Sequence, residues 1–204
     1  IDGMNRRTVL LSLSAAVASP RAALAAPIPL DELSRYVNGL TTAEATFTQV
    51  NGDGTIATGR LWLRRPGRIR FEYDPPDDAL VIASGGQVAV FDPKSNQPPE
   101  QYPLARTPLN LILAARVDLD RARMVLSHRE EGPTTRVVAQ DPERPEYGTI
   151  ELVFTAGPVA LRQWIVRDDA GSETTVILGT LARGGDIPAR VFDFVAEIER
   201  RQRR

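Results

Sequence analysis

G-R-L-W-L-R-R-P-G-R-I-R-F-E-Y-D-P-P, residues Gly59 to Pro76, is the stretch on which the reading of this chain turns. Leu61, Leu63 and Arg65 fall on one face of a strand of period two, and Ile69, Phe71 and Tyr73 on one face of the next. Between them, Arg65-Pro66-Gly67-Arg68 carries Pro and Gly where a type II turn needs them, so the two strands close into a hairpin. A slip of one residue would turn both apolar stripes outward, so the stripes set the register. One stripe ends in an arginine, and a guanidinium at the rim of an apolar face calls for a partner.

Toward the N-terminus, Leu30, Leu33, Val37 and Leu40 recur at helical spacing behind Asp31 and Glu32, which predicts a short amphipathic helix. Ala43 to Val50 then alternates with Phe47 and Gln49 on one face, and Asn51-Gly52-Asp53-Gly54 is a turn. Toward the C-terminus, a loop at Asp74 to Asp77 precedes an apolar run from Ala79 to Ser84, and Ser84-Gly85-Gly86-Gln87 turns into a strand from Val88 to Asp92. These five strands form an antiparallel meander. Pro93 to Pro108 is polar and Pro-rich, after which Thr107 as N-cap and Pro108 at the first helical position predict a helix from Leu109 to Arg116.

The second half resumes strands at Ala122 to Arg129, Thr134 to Gln140, Thr149 to Thr155, Ala160 to Arg167 and Glu173 to Leu181, with a last short strand at Val191 to Ala196. About eleven strands joined by turns, with no repeat or linker, predict one mainly β domain built as a large antiparallel sheet or barrel.

The 204 residues include no Cys, which rules out disulfides, thiolate metal sites and Cys catalysis. Asn5-Arg6-Arg7, the apolar run Val9 to Ser19 and Ala23-Leu24-Ala25 have the layout of a cleavable export signal, so residues 1–25 are set apart from the fold. Arg6-Arg7 leaves both general and twin-arginine export open. The 179 residues from Ala26 onward carry 22 basic and 25 acidic side chains, a formal charge of −3, so no basic field for nucleic acid exists. The basic cluster Arg200, Arg201, Arg203 and Arg204 reads as a solvated, frayed end.

Enzyme chemistry finds little support. His128 is the single histidine and has no Ser motif or second ligand at useful spacing. Asp77-Asp78, Glu130-Glu131 and Asp168-Asp169 sit in turns, where solvated carboxylates belong. No phosphate loop or metal motif is present, and no cofactor is expected.

Phe47-Thr48-Gln49, Gly59 to Pro66, the aromatic strand through Phe71 and Tyr73, the Ser84-Gly85-Gly86 hairpin with Phe91-Asp92-Pro93, and Thr107 to Ala114 together resemble the outer-membrane lipoprotein carrier family (LolA). The match rests on the order and spacing of these pieces. The resemblance implies a single half-open antiparallel β-barrel whose apolar concave face is covered by short α-helices acting as a lid. It implies a monomeric periplasmic carrier of acylated lipoproteins, loaded by an inner-membrane ABC-type release complex and unloaded at an outer-membrane acceptor. It also gives the arginine matching Arg65 the role of a latch on the lid.

Phe47, Leu61, Leu63, Ile69, Phe71, Tyr73, Leu80, Ile82, Val88 and Val90 are the expected cavity walls, and Leu109, Leu111, Ile112 and Leu113 the expected lid. The same residues also suit a filled core with a buried plug. Trp62 is expected on the outer face, and Trp164 in a structural role. A carrier of another lipid or glycolipid, or a lipid-sensing regulator, would use the same fold.

Overall fold

Turns too short for crossovers make sequence neighbours spatial neighbours. The computed structural model describes residues 26–95, 97–120 and 123–203, so the export signal read at the N-terminus lies outside the described residues. Helix α1 (Leu30–Gly39) leads into β1 (Thr42–Asn51), β2 (Ile56–Arg64), β3 (Arg68–Tyr73), β4 (Leu80–Ser84), β5 (Gln87–Phe91) and β6 (Glu100–Pro103). A 3-10 turn at Leu104–Arg106 and a one-turn helix, α2 (Asn110–Leu113), follow. Then come β7 (Val125–Glu131), β8 (Thr134–Gln140), β9 (Thr149–Thr155), β10 (Ala160–Arg167), β11 (Glu173–Leu178) and β12 (Ala182–Arg183). The 3-10 turn Ala189–Phe192 and helix α3 (Phe194–Gln202) close the chain.

All these strands form one antiparallel sheet in the order β6-β5-β4-β3-β2-β1-β11-β10-β9-β8-β7, with β12 beside β1. The two halves join where β1 meets β11, with Phe47 opposite Leu178 and Gln49 opposite Val176. β6 and β7 end the sheet without pairing to each other, which leaves the barrel half-open. The hairpin has the expected register, Leu61 opposite Phe71 and Leu63 opposite Ile69. Its turn has Gly67 at φ 67°, the left-handed residue expected at that position, and the Arg65–Pro66 bond is cis.

Both faces of the sheet are covered, and the register sorts the apolar residues between them. Phe71 faces Val81, and Ile69 faces Ala83, on the concave side. Leu80 and Ile82, expected in the cavity wall, alternate to the convex side instead. There they form a second core with Ala89, Phe91, Ile187 and Phe192. Trp62 packs on that outer core, as expected.

The run Val191 to Ala196, expected as a strand, is the 3-10 turn and the start of α3. Asp193 makes this possible by capping the helix, its Oδ1 accepting from the Ala196 N–H at 3.0 Å. The C-terminal arginines are solvated as expected but ordered on the helix rather than frayed: Arg200 and Arg201 bond the buried Glu197, and Arg201 lies 4.9 Å from the Phe91 ring centroid. Arg204 lies outside the described residues. The helix expected from Leu109 to Arg116 is cut to the single turn of α2, with Leu109 as its N-cap. Thr107 caps nothing there; its hydroxyl donates back to Leu104 O at 2.8 Å.

A buried carboxylate organises the outer face of the second half. Glu151 accepts from Arg129 at 2.9 Å, Arg136 at 3.1 Å and Arg167 at 3.3 Å. Burial raises its pKa, but bonds from Arg136 and Arg167 and the charge of Arg129 outweigh that, leaving it below the ordinary carboxylate value. A folded pKa below the unfolded one adds stability that is complete above the ordinary carboxylate pKa and lost as pH falls through the folded value. Glu151→Gln should cost about 1–2 kcal/mol at neutral pH and flatten that acid-side loss, measured by urea unfolding across pH.

Gly59 gives a sharper test of the close approach between β2 and β3. A Cβ there would lie 2.0 Å from Glu72 O and 2.9 Å from the Phe47 ring. Gly59→Ala should cost about 2–3 kcal/mol in urea unfolding, whereas Gly39→Ala, where a Cβ meets nothing within 4 Å, should cost nothing.

Candidate functional site

Cross-strand aromatic contacts floor the concave face. Phe47 stands edge-on to Phe71 at 5.3 Å and to Tyr73 at 5.1 Å, and Phe71 is edge-on to Trp164 at 6.3 Å. Above one part of this floor, α1 contributes Val37 and Leu40 just beyond it, and α2 contributes Ile112 and Leu113. Leu61, Leu63 and Ile69 form the opposing wall with Leu161, Trp164, Leu178 and Leu181. The enclosed space is a cavity of about 30 Å³, room for a water or two and for no acyl chain.

On the other side of α2 the same face opens into a groove of about 610 Å³. Phe71, Tyr73, Val81, Val88 and Val90 line it, with Leu109 from the lid segment. One helical turn thus divides the concave face, with Ile112 and Leu113 toward the closed cavity and Leu109 toward the open groove. Leu111 stands over a small crevice beside Tyr147. Of the residues expected as walls and lid, all but Leu80 and Ile82 lie on this face or over it.

Arg65 sits where the closed cavity meets both helices. Its guanidinium donates to Val37 O in the last turn of α1, to Ala114 O just after α2 at 2.5 Å, and to Asn38 Oδ1 at 3.4 Å. Carbonyls at helix C-termini lack intrahelical donors and carry partial negative charge, so a planar cation with several donors suits them. Burial pulls the guanidinium pKa down, the expected cost of removing a charge from water. The turn beside it adds a fourth tie, Gly67 N–H to Leu113 O at 2.8 Å.

Asn38 locks the two lid segments together. Its Nδ2 donates to Val117 O at 2.7 Å, and its Oδ1 accepts from Val117 N–H at 2.9 Å. In an amphipathic helix an asparagine near the end carries no mark of this role, and nothing in the spacing pointed to its partner. Leu161 and Trp164 share the cavity despite odd spacing because a bulge shifts the β9–β10 register between Leu161 and Gln163.

Tyr73 is pushed up to about 12 by burial, with the bond from its hydroxyl to Gln49 Oε1 at 2.7 Å acting the other way. His128 Nε2 lies 3.0 Å from Ile28 O, pinning the segment before α1. Among the described residues no group of three His, Asp or Glu could hold a metal ion, and no helix is long and apolar enough to cross a membrane.

The sequence profile of the outer membrane lipoprotein carrier protein LolA family matches residues 38–195, more than half of the chain. The chain belongs to this family. Its curated relatives include the outer-membrane lipoprotein carrier proteins of Chromohalobacter salexigens, 26% identical with 90% of each chain covered, and Pseudomonas aeruginosa PAO1, 26% identical over 81% of this chain and 82% of that one. Among solved structures, a LolA superfamily protein from Nitrosomonas europaea aligns with 81% of this chain and 97% of its own, at 9% identity and a TM-score of 0.45. The family match takes in Asn38, Arg65 and Ala114 and all the strands of the sheet, and begins one residue after Val37, the clasp's acceptor in α1.

If Arg65 holds the lid segments down, its removal loosens them and not the sheet. Arg65→Ala should speed amide hydrogen exchange at Leu40, Gly67 and Val117 by about tenfold or more, with β9 and β10 amides unchanged.

Proposed function

We propose that this protein is a periplasmic carrier that takes up the acyl chains of lipoproteins released from the inner membrane and delivers them to the outer membrane. The observation that carries this reading is the apolar cavity shut to about 30 Å³ by a clasp that one side chain makes to both lid helices, next to an open apolar groove. An inner-membrane ABC-type release complex would load it and an outer-membrane acceptor would unload it. It acts as a monomer and by binding alone, without catalysis.

Magnitudes favour such a device. Ten buried methylenes gain about 8 kcal/mol, enough to make release slow. Hydrogen bonds from a charged donor contribute about 1.5–3 kcal/mol each, so breaking the clasp offsets part of that gain and leaves binding reversible. Contacts made only in the empty state subtract from ligand affinity by the amount they stabilise it.

Two measurements test this. The purified protein should carry triacylated lipoprotein and extract it from spheroplasts; phospholipid without protein cargo would instead mean a carrier of another lipid. Arg65→Leu should bind a triacylated lipopeptide as tightly as the parent or up to about tenfold tighter, yet hand it over more slowly. Handover at the parent rate would refute the latch.

A further inference from the structure

The open groove has an apolar floor and a charged rim, and the two differ in what they would accept. Glu100, Glu146, Asp168 and Asp169 reach its edge, against a single guanidinium, that of Arg106, among the described residues. Arg106 is itself engaged, 5.9 Å from the Tyr147 ring centroid. Tyr102 and Tyr147, both half-buried, line the groove with these charges, and a phenol joins an apolar ring to a polar hydroxyl. The site is therefore graded from hydrocarbon through aromatic to anionic.

We infer that this rim selects cargo by headgroup: it admits acyl chains that end in an uncharged glyceryl-cysteine peptide and repels those that end in a phosphate. The inference rests on the carrier reading and names a selectivity for it. Hydrocarbon of matched chain number and length binds the floor equally well whatever headgroup it carries, so the acyl chains give no selectivity by headgroup. Discrimination must then come from whatever lies at the mouth, and a like charge placed there rejects the wrong ligand without strengthening the right one. Three excess carboxylates within one groove repel a single phosphate enough for about a tenfold difference in affinity at low salt, screened away as salt rises.

The test titrates the full chain with a neutral, N-acetylated diacylglyceryl-cysteine lipopeptide and with phosphatidylglycerol of the same two chains, each in nonionic detergent micelles, at low salt and at ~0.5 M salt. The lipopeptide should bind about tenfold tighter at low salt, with the gap shrinking at high salt. Glu100→Gln/Glu146→Gln/Asp169→Asn should raise phosphatidylglycerol affinity and narrow the gap below about threefold, leaving lipopeptide affinity unchanged. Asp168 is kept because its Oδ1 accepts from the Ser172 N–H at 2.8 Å and shapes the turn. Equal affinities in the parent protein, or an undiminished gap in the variant, would overturn the rim's role while leaving the carrier reading intact. Failure of the parent to bind either lipid would overturn both.

Discussion

One guanidinium ties both helices on the concave face to the sheet. Arg65 reaches Val37 O and Ala114 O, carbonyls 28 and 49 residues away in sequence, and so ties two helix ends to the tip of one hairpin. A lysine at that position could satisfy one of these acceptors but lacks the fork that spans both. Helix α2 depends on this tie more than α1 does. A single turn cannot stand by its own hydrogen bonds, so its place is set by what holds its ends and by Ile112 and Leu113 beneath it.

The sheet makes that clasp meaningful by giving the lid something to cover. Its convex side is closed permanently, with Phe192, Ile187 and α3 packed on Leu80, Ile82 and Phe91. Its concave side is covered by segments tied to the sheet at Arg65 and Gly67 and through Tyr36 Oη, which accepts from the Leu161 N–H at 3.0 Å. The same twisted sheet thus carries a packed core on each face, and the proposed function needs only the concave one to exchange its side chains for a ligand's hydrocarbon.

Much of this was legible in the sequence, and the failures have physical causes. Period-two alternation placed Leu61, Leu63, Ile69 and Phe71 on the concave face because their alternates, Trp62, Arg70 and Glu72, are polar or amphipathic. It failed at Leu80 to Ala83, where every residue is apolar because both faces are covered, and only pairing to Phe71 and Ile69 decides which side each takes. Leu161 and Trp164, three residues apart, share the concave face because a bulge breaks the alternation between them. Val191 to Ala196 was too short for periodicity to separate strand from helix, and the cap at Asp193 settled it. Arg65 stood out as a charge at the end of an apolar stripe. Its acceptors did not, because helix-end carbonyls leave no mark on residue type.

The central claim is that the lid leaves the sheet when hydrocarbon enters. The chain has no cysteine of its own, so spin labels can be placed at Ala115, exposed just beyond α2, and at Glu44, exposed on β1. Pulsed dipolar spectroscopy on Glu44→Cys/Ala115→Cys, with and without a triacylated lipopeptide whose binding is verified in the same sample, reads the lid position directly. A longer, broader distance in the loaded protein, and the same shift without lipopeptide when Arg65→Leu is added, is the predicted result. Identical distance distributions for empty and loaded protein would contradict the account.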